Sequence, residues 1–432
     1  MRVFSCFALS IAFACASTAA IAGSTPPKKI LFTRDLLEKM PGSQFDAPAA
    51  AALYVIDGNR QNLHRLTPLQ EGHYYIPGVE SNAYVWTENS NIDWLSRNFS
   101  ATGQILFFNG LASSFPTYAD SLSGKYKIRD PNGHVRNLFP GQDDVASGWG
   151  FVTWGPPGSR LIAFTNSAKA RVASPACVYL IHPDGSGAHT LWCPTGYSSP
   201  VGVTDLRWSG NAKYLLAYVN WDPYDDTYSN RDLWRIKVAT GEATRVATNV
   251  TVGVDYGTDD ISYDGNKVLF TANGIDDPSE GGCEAVVNDP PAKTLCLADL
   301  TNGRQLRVLA QDPTGNTLIS PDGNRTLRYE FGTPLGQDYP GYSEIDIFLI
   351  RTSDGSKVRQ LTRPPAGGWP QGSYVTWRAV AFSRDGKKLL ANRDVRAAGK
   401  VIPTTDFFII NLVDNRVYRV GKGNAVDWYQ PQ

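Results

Sequence analysis

The stretch Thr317–Thr362 contains the pattern that decides the fold. It begins TLISPDGNRTLRYEF, continues through an acidic and aromatic insert, and ends EIDIFLIRTSDGSKVRQLT. Two turns interrupt it, at Pro321-Asp322-Gly323 and at Ser353-Asp354-Gly355-Ser356. Each turn is predicted to be tight, because Pro fixes φ, Asp bonds to its own backbone and Gly adopts positive φ. The stretch therefore predicts four antiparallel strands that form one small sheet.

The same unit recurs along the chain with variations. Its first turns are centred on six glycines: Gly103, Gly158, Gly210, Gly265, Gly323 and Gly386. A large apolar residue precedes each turn: Phe99, Trp154, Trp208, Ile261, Ile319 and Phe382. The first copy lacks its opening strand, and an unused opening strand follows the last copy, at Asn424–Pro431. A sheet with two apolar faces must stack on others, so the sequence predicts an all-β, seven-bladed β-propeller of four-stranded antiparallel blades. The C-terminal strand would complete the first blade.

Composition agrees with one repeat-built domain over residues 23–432. The chain has 432 residues, 41 basic and 41 acidic side chains, and 40 Gly. This balance gives no reason to expect nucleic acid or an anionic membrane as a partner. A repeat array distributes its core between neighbours, so it does not have to divide into several domains. We expect a monomer.

The N-terminus predicts export. Residues 1–22 read as a signal peptide, with Arg2, an apolar run over Val3–Ala14 and the small-x-small site Ala20-Ile21-Ala22. Lipidation of Cys15 is an alternative. No later stretch is long and apolar enough to predict a transmembrane segment. The expected location is the periplasm or the outside of the cell.

The four cysteines that remain after cleavage suggest two structural disulfides. Cys177 and Cys193 lie equally far from Gly185, so a hairpin turning there would place them opposite each other. Cys283 and Cys296 would close a loop. Four cysteines allow three pairings, and a metal site is the weaker alternative because the sequence has no CxxC pair.

The turn motifs resemble a known family. Ile319-Ser-Pro-Asp-Gly323, Phe382-Ser-Arg-Asp-Gly386 and Ile261-Ser-Tyr-Asp-Gly265 are similar to the Pro-Asp version of the WD40-like repeat found in TolB-like propellers. The resemblance covers essentially the whole mature chain. It implies a propeller of the kind that serves as a partner-binding scaffold, as the propeller of a serine peptidase, or as a sugar-cleaving enzyme.

Long connections predict where a ligand would bind. The links between second and third strands, for example 35–51, 220–231 and 393–405, would all leave from one face. Aromatic rings stack on sugars, and carboxylates bind sugar hydroxyls or Ca²⁺. The predicted ligand-binding residues on this face are Trp149, Trp221, Asp222, Tyr224, Asp225, Asp226, Tyr228, Tyr256, Asp260, Tyr342, Trp369, Arg393 and Arg396. The same residues would suit a protein interface, and ordinary solvated loops are the plain alternative.

The sequence indicates a catalytic activity less clearly than it indicates a binding surface. The sequence has no GxSxG motif and no P-loop, which argues against a serine hydrolase and a nucleotide-binding enzyme. A His73/Tyr74 pair with Arg393 or Arg396 could serve a polysaccharide lyase, and many carboxylate pairs could serve a glycoside hydrolase. Catalytic residues and cofactor stay unassigned. The favoured hypothesis is a scaffold that binds a protein or glycan partner, and a carbohydrate-active enzyme is the alternative.

Overall fold

Every regular element in the described part of the chain is a β-strand. The computed structural model describes residues 29–39, 46–66, 70–71, 99–100, 102–111, 123–139, 145–146, 152–156, 159–165, 177–197, 201–220, 231–248, 250, 260–272, 294–311, 317–331, 344–363, 373–396 and 404–429. The expected signal peptide lies outside these residues. Within them, no helix has the length and apolar character needed to cross a bilayer.

The strands group into six hydrogen-bonded sheets. Sheet 1 contains β1 (Lys29–Lys39), β2 (Asp46–Asp57), β3 (His64–Arg65), β4 (Gln70–Glu71) and the C-terminal β28 (Asn424–Tyr429). Sheet 2 contains β5 (Ile105–Leu111), β6 (Ser123–Arg129), β7 (Val135–Asn137) and β8 (Val145–Ala146). Sheet 3 contains β9 (Val152–Trp154), β10 (Ile162–Thr165), β11 (Val178–Ile181) and β12 (His189–Trp192).

The second half of the chain supplies the other three sheets. Sheet 4 contains β13 (Gly202–Trp208), β14 (Tyr214–Asn220), β15 (Arg231–Lys237) and β16 (Ala243–Ala247). Sheet 5 contains β17 (Asp260–Ile261), β18 (Lys267–Ala272), β19 (Thr294–Asp299) and β20 (Gln305–Gln311). Sheet 6 contains β21 (Arg325–Phe331), β22 (Glu344–Arg351), β23 (Lys357–Gln360), β24 (Tyr374–Phe382), β25 (Lys388–Arg396), β26 (Thr404–Asn411) and β27 (Val417–Lys422).

The prediction of a seven-bladed propeller is wrong. The structure is an all-β β-propeller, but its described strands form five blades of four or five strands and one seven-stranded sheet. The repeat that decided the prediction and the repeat after it share this last sheet. Within this sheet β23 pairs with Phe348–Ile350 of β22. The beginning of β22, from Glu344, pairs in parallel with β24 instead.

A second prediction is only partly right. The link over residues 35–51 was expected to be a long loop, but β1 and β2 extend through most of it as one antiparallel ladder that reaches Lys39↔Asp46. Small alanines fill the beginning of β2, and the sequence reading gave this run no strand. Most of the 35–51 connection therefore belongs to strands β1 and β2 and not to a loop.

Contacts between sheets run in order and return to the start. β28 pairs antiparallel with β1, as expected for a C-terminal strand that completes the first sheet. Apolar clusters join each sheet to the next, and the ring of Phe407 in sheet 6 contacts that of Phe32 in sheet 1, tilted by 41° with ring centroids 4.8 Å apart. The first strands of successive sheets also contact one another, at β9–β13, β13–β17 and β24–β28. These first strands form the inner edge of the propeller.

A Ser-x-Asp-Gly turn explains why the repeat is recognisable in sequence. In sheet 6 the Ser320 hydroxyl donates to Asp322 Oδ1 at 2.5 Å and accepts from the Arg325 N–H at 3.0 Å. The Asn324 N–H donates to the same carboxylate oxygen, and Gly323 adopts φ of 69°. The same arrangement recurs at Ser262–Asp264 and Ser383–Asp385. The motif is thus a self-contained hydrogen-bonded turn.

Two inner-strand aspartates connect neighbouring sheets through backbone N–H groups. Asp427 Oδ1 accepts from its own neighbour Trp428 N at 2.6 Å, and Oδ2 accepts from Phe99 N of sheet 2 at 2.8 Å. Asp260 does the same, with Ile261 N and with Ile319 N, both at 2.9 Å. We call this arrangement the aspartate clamp. It holds two first strands together with one carboxylate.

The Cys177–Cys193 disulfide is confirmed. It joins the start of β11 to the residue that follows β12. Cys296 is also disulfide-bonded. Its predicted partner Cys283 lies outside the described residues, so that pairing stays a prediction.

Removal of an aspartate clamp should cost stability. D427A leaves a sheet 2 N–H without its charged acceptor, so we expect a loss of about 2 kcal/mol or more in the free energy of unfolding. D260A should behave alike. Denaturant titration followed by tryptophan fluorescence measures both. Glu242 is exposed, and E242A is the control expected to change little. Equal denaturation midpoints for all three variants would contradict the clamp.

The turn aspartates should make stability fall in acid. Burial raises the pKa of Asp322, but hydrogen bonds from Ser320 and Asn324 lower it more, so the net pKa lies below the ordinary 3.8. A depressed pKa contributes stability above the unfolded-state value, and this contribution is lost as pH falls through the folded-state value. The difference in stability between wild type and D322N should therefore shrink between pH 6 and pH 3. A difference that does not change with pH would refute this account.

Candidate functional site

Third-strand carboxylates occupy the same register position in two of the sheets. Asp232 precedes Leu233, which pairs with Tyr218, and Asp346 precedes Ile347, which pairs with Tyr329. In each case the carboxylate binds the fourth strand of its own sheet. Asp232 Oδ2 lies 3.6 Å from Arg245 Nη1, and Asp346 Oδ2 accepts from Gln360 Nε2 at 2.8 Å.

In sheet 3, and between β26 and β27 of sheet 6, other interactions join the third strand to the fourth at the same register position. Asp406 precedes Phe407 in β26 and accepts from Arg419 Nη2 of β27 at 2.7 Å. In sheet 3 the residue before Val178 is Cys177, which is covalently bound to Cys193. An ion pair, a hydrogen bond or a disulfide therefore fixes the third strand to the fourth at the same end of the sheet.

Asp232 also bonds a side chain that lies outside the strands of its own sheet. Tyr197, in the connection between β12 and β13, donates its hydroxyl to Asp232 Oδ2 at 2.8 Å. The same hydroxyl accepts from Trp234 Nε1 at 2.9 Å. We call Tyr197, Asp232, Trp234 and Arg245 the Tyr197 network. It ties the connection that enters sheet 4 to the third and fourth strands of that sheet.

Burial changes the ionisation of this network. Asp232 is 4% exposed, and burial raises the pKa of its carboxyl, while the Tyr197 hydroxyl and Arg245 oppose that rise. Burial, and then the adjacent Asp232 carboxylate, raises the pKa of Tyr197. Tyr197 therefore stays a protonated hydrogen-bond donor throughout the physiological pH range.

The Tyr197 network lies beside an aromatic surface and a long acidic segment. The rings of Trp192 on β12 and Trp234 on β15 are tilted by 41° with centroids 5.4 Å apart, and both are half-buried. Asn220 and Arg231 form the last pair of the β14–β15 ladder, so they hold the two ends of segment 221–230 side by side. Asp232 follows directly. The rigid network and the aromatic pair thus flank the point where the predicted binding segment leaves the sheet.

Most of the predicted ligand residues lie outside the described residues. They are Trp149, Trp221, Asp222, Tyr224, Asp225, Asp226, Tyr228, Tyr256, Tyr342 and Trp369. Their roles stay predictions. Among the described residues, no group of three metal-ligating side chains is close enough to hold an ion.

Asp260, Arg393 and Arg396 are described, and they do not meet at one site. Asp260 forms an aspartate clamp at the inner edge. Arg393 lies within β25, where its guanidinium stacks 4.6 Å from the Phe408 ring centroid and pairs with Asp406 at 3.4 Å. Burial lowers the pKa of Arg393, while Asp406 opposes this change. Arg396 ends β25 and is exposed.

The sequence reading missed the Tyr197 network. Tyr197 was not singled out, because a lone Tyr in a short link carries no pattern. Asp232 had a recognisable signal: an aligned comparison of the copies places Asp232, Asp346 and Asp406 at one position. That comparison would have indicated a shared structural role and would have directed attention to the extra partner of Asp232.

The solved structures similar to this chain share its fold at low sequence identity. A prolyl endopeptidase matches with a TM-score of 0.52 and 11% identity, over 93% of this chain and 50% of that one. An oligogalacturonate lyase in complex with manganese matches with a TM-score of 0.40 and 16% identity, over 76% of this chain and 75% of that one.

A putative TolB from Agrobacterium tumefaciens matches with a TM-score of 0.35 and 14% identity, over 79% of this chain and 90% of that one. No protein-family model and no curated protein matches the chain. The lyase and TolB scores are below 0.5, so neither carries a conclusion about substrate. What the comparisons establish is the β-propeller fold.

Proposed function

We propose that this protein is an exported, TolB-like β-propeller that binds a glycan or protein partner at the end of sheet 4. The Tyr197 network carries the proposal. It fixes the base of the 221–230 segment with buried hydrogen bonds, and it orients the Trp234 ring through its indole N–H. A binding loop gains affinity when its base is preorganised, because less entropy is lost on binding.

The composition of the surface suits a sugar or a polar protein segment. Half-buried indole rings offer apolar faces for stacking. Segment 221–230 reads WDPYDDTYSN and adds carboxylates, hydroxyls and further rings. Three aspartates within five residues would accept hydrogen bonds from hydroxyl or amide donors. An uncharged polyhydroxylated chain and a donor-rich peptide both fit this chemistry.

Binding is favoured over catalysis by the behaviour of the carboxylates. A raised pKa at Asp232 is a property expected of a general acid. Asp346 occupies the same register position in sheet 6, and burial raises its pKa in the same way. Since burial raises the pKa of two carboxyls in two different sheets, the shift does not single out Asp232 as a general acid. A carbohydrate-active enzyme, the alternative from the sequence, gains no separate support from Asp232.

The decisive experiment removes charge from the segment without touching the network. In the triple variant D222A/D225A/D226A we expect the Kd for the partner to rise more than about tenfold, with Tm nearly unchanged. A glycan array and a peptide library with the purified wild type identify the partner. Isothermal titration then measures the Kd of each variant.

A charge-matched control separates binding from general electrostatics. The triple variant D184A/D354A/D414A changes the same number of charges in turns between third and fourth strands, at the opposite end of the sheets. It should keep wild-type affinity. Equal loss in both variants would contradict a site at sheet 4, and release of unsaturated or reducing sugar ends by the wild type would replace the scaffold with an enzyme.

A further inference from the structure

Polar groups at the inner edge are paired at several of the junctions between sheets. Asp427 and Asp260 form the aspartate clamps. In sheet 6, the Tyr329 hydroxyl accepts from Ala379 N at 2.9 Å. Asn392 bonds the backbone of Ala425 in both directions, where sheet 6 meets sheet 1. At the junction of sheets 4 and 5, the side chains at two equivalent positions lack such hydrogen bonds.

Arg207 occupies the clamp position in sheet 4. It precedes Trp208 and pairs with Leu216, as Asp260 precedes Ile261 and pairs with Leu269. Its Nε and Nη2 atoms are buried and have no hydrogen-bond partner. The Nε atom is 3.9 Å from Asp205 Oδ2, which is beyond hydrogen-bond distance. The clamp position of sheet 4 therefore holds an arginine, and this arginine makes no hydrogen bond that corresponds to those of Asp260.

Tyr218, on the next strand, also lacks the hydrogen bond that its equivalent in sheet 6 forms. It occupies the register position of Tyr329, but its completely buried hydroxyl has no partner. Leu216 and Tyr218 pack against sheet 5, and the pairing of Arg207 with Leu216 puts Arg207 on that same face. A buried polar group without a partner destabilises the folded state relative to a paired one.

The backbone beside these side chains is strained. Asp205 has φ of 55° and lies at a bulge, where the register of β13 with β14 shifts between Thr204 and Leu206. A residue other than Gly pays for this conformation, and such strain persists only where its surroundings impose it. Two side chains with buried polar atoms that make no hydrogen bond, Arg207 and Tyr218, therefore lie at the same junction as one strained residue, and Arg207 has only a long ion pair with Asp205.

The turn end of the same junction is well bonded. Asn211 N donates to Tyr263 O at 2.9 Å, and Arg235 Nη1 donates to Gly265 O at 3.0 Å. The junction is therefore fixed at the turn end of sheet 4. The unsatisfied groups lie further along β13 and β14, toward segment 221–230.

We propose that β13 is a hinged section of the inner wall, fixed at the Asn211 turn and able to move away from sheet 5. In the moved position Arg207 and Tyr218 reach water or new partners, and Asp205 leaves its left-handed conformation. β14 pairs with β13 along Gly202–Trp208 and ends at Asn220, so the motion extends to the end of β14. The structure shows the closed position. The device does not depend on the identity of the partner.

The first test compares two equivalent tyrosines. Y218F removes a hydroxyl that has no partner, so Tm should stay level or rise. Y329F removes the acceptor of the Ala379 N–H, so Tm should fall by about 2 °C or more. Both substitutions are conservative, and the folded state of each is checked by circular dichroism. A fall in Y218F equal to that in Y329F would overturn the proposal, because Tyr218 would then be satisfied in the closed position.

The second test measures the motion itself. Hydrogen exchange with mass spectrometry should show the amides of 202–207 exchanging at least about tenfold faster than those of 424–428, an inner strand that also lies at the edge of its sheet. Protection equal to that of 424–428 would overturn the hinge whatever the result for Y218F. The proposal stands only if Tm and exchange both behave as expected.

Discussion

A small sheet with two apolar faces is unstable until both faces are covered, and every other feature of this protein follows from that constraint. Ile30 and Leu31 are neighbours in β1 and face opposite sides, yet both are fully buried. The chain can bury both only if a sheet lies on each side. The pairing of β28 with β1 allows this at the point where the chain begins and ends. Closure is therefore a condition for a stable core in sheet 1.

Once the apolar faces are covered, side-chain bonds at the edges hold neighbouring strands and sheets together. At the inner edge, Asp427 and Asp260 use one carboxylate for two backbone N–H groups. At the outer edge, a side chain at one register position fixes the third strand to the fourth, as Asp346 does with Gln360. These bonds are side chain to side chain or side chain to backbone, so they can vary in chemistry while their position stays the same. The disulfide at Cys177 is the covalent version.

The repeat is recognisable in the sequence because the hydrogen bonds of its turn join residues that are close together in the chain. Ser320, Asp322 and Gly323 form their hydrogen bonds within six residues, so their spacing survives in every well-formed copy. The Cys177–Cys193 pairing was predictable for the same reason, since one short hairpin contains both residues. Blade count depends instead on which strand edges meet in space. The start of β22 pairs in parallel with β24, and no local sequence pattern indicates that pairing.

The candidate site was predictable in composition but not in arrangement. Asp260 and Arg393 were selected because acidic and basic residues in connections often bind ligands, and both prove to bind the protein itself. The Asp260 carboxylate accepts from two backbone N–H groups, and the half-buried Arg393 guanidinium pairs with Asp406. Tyr197 and Trp234 differ, because their polar atoms are engaged with each other while the Trp192 and Trp234 rings keep part of their surface exposed. In this propeller Asp260, Asp346, Asp406 and Asp427 hold strands together, and the rings of Trp192 and Trp234 keep exposed surface that the proposed partner would contact.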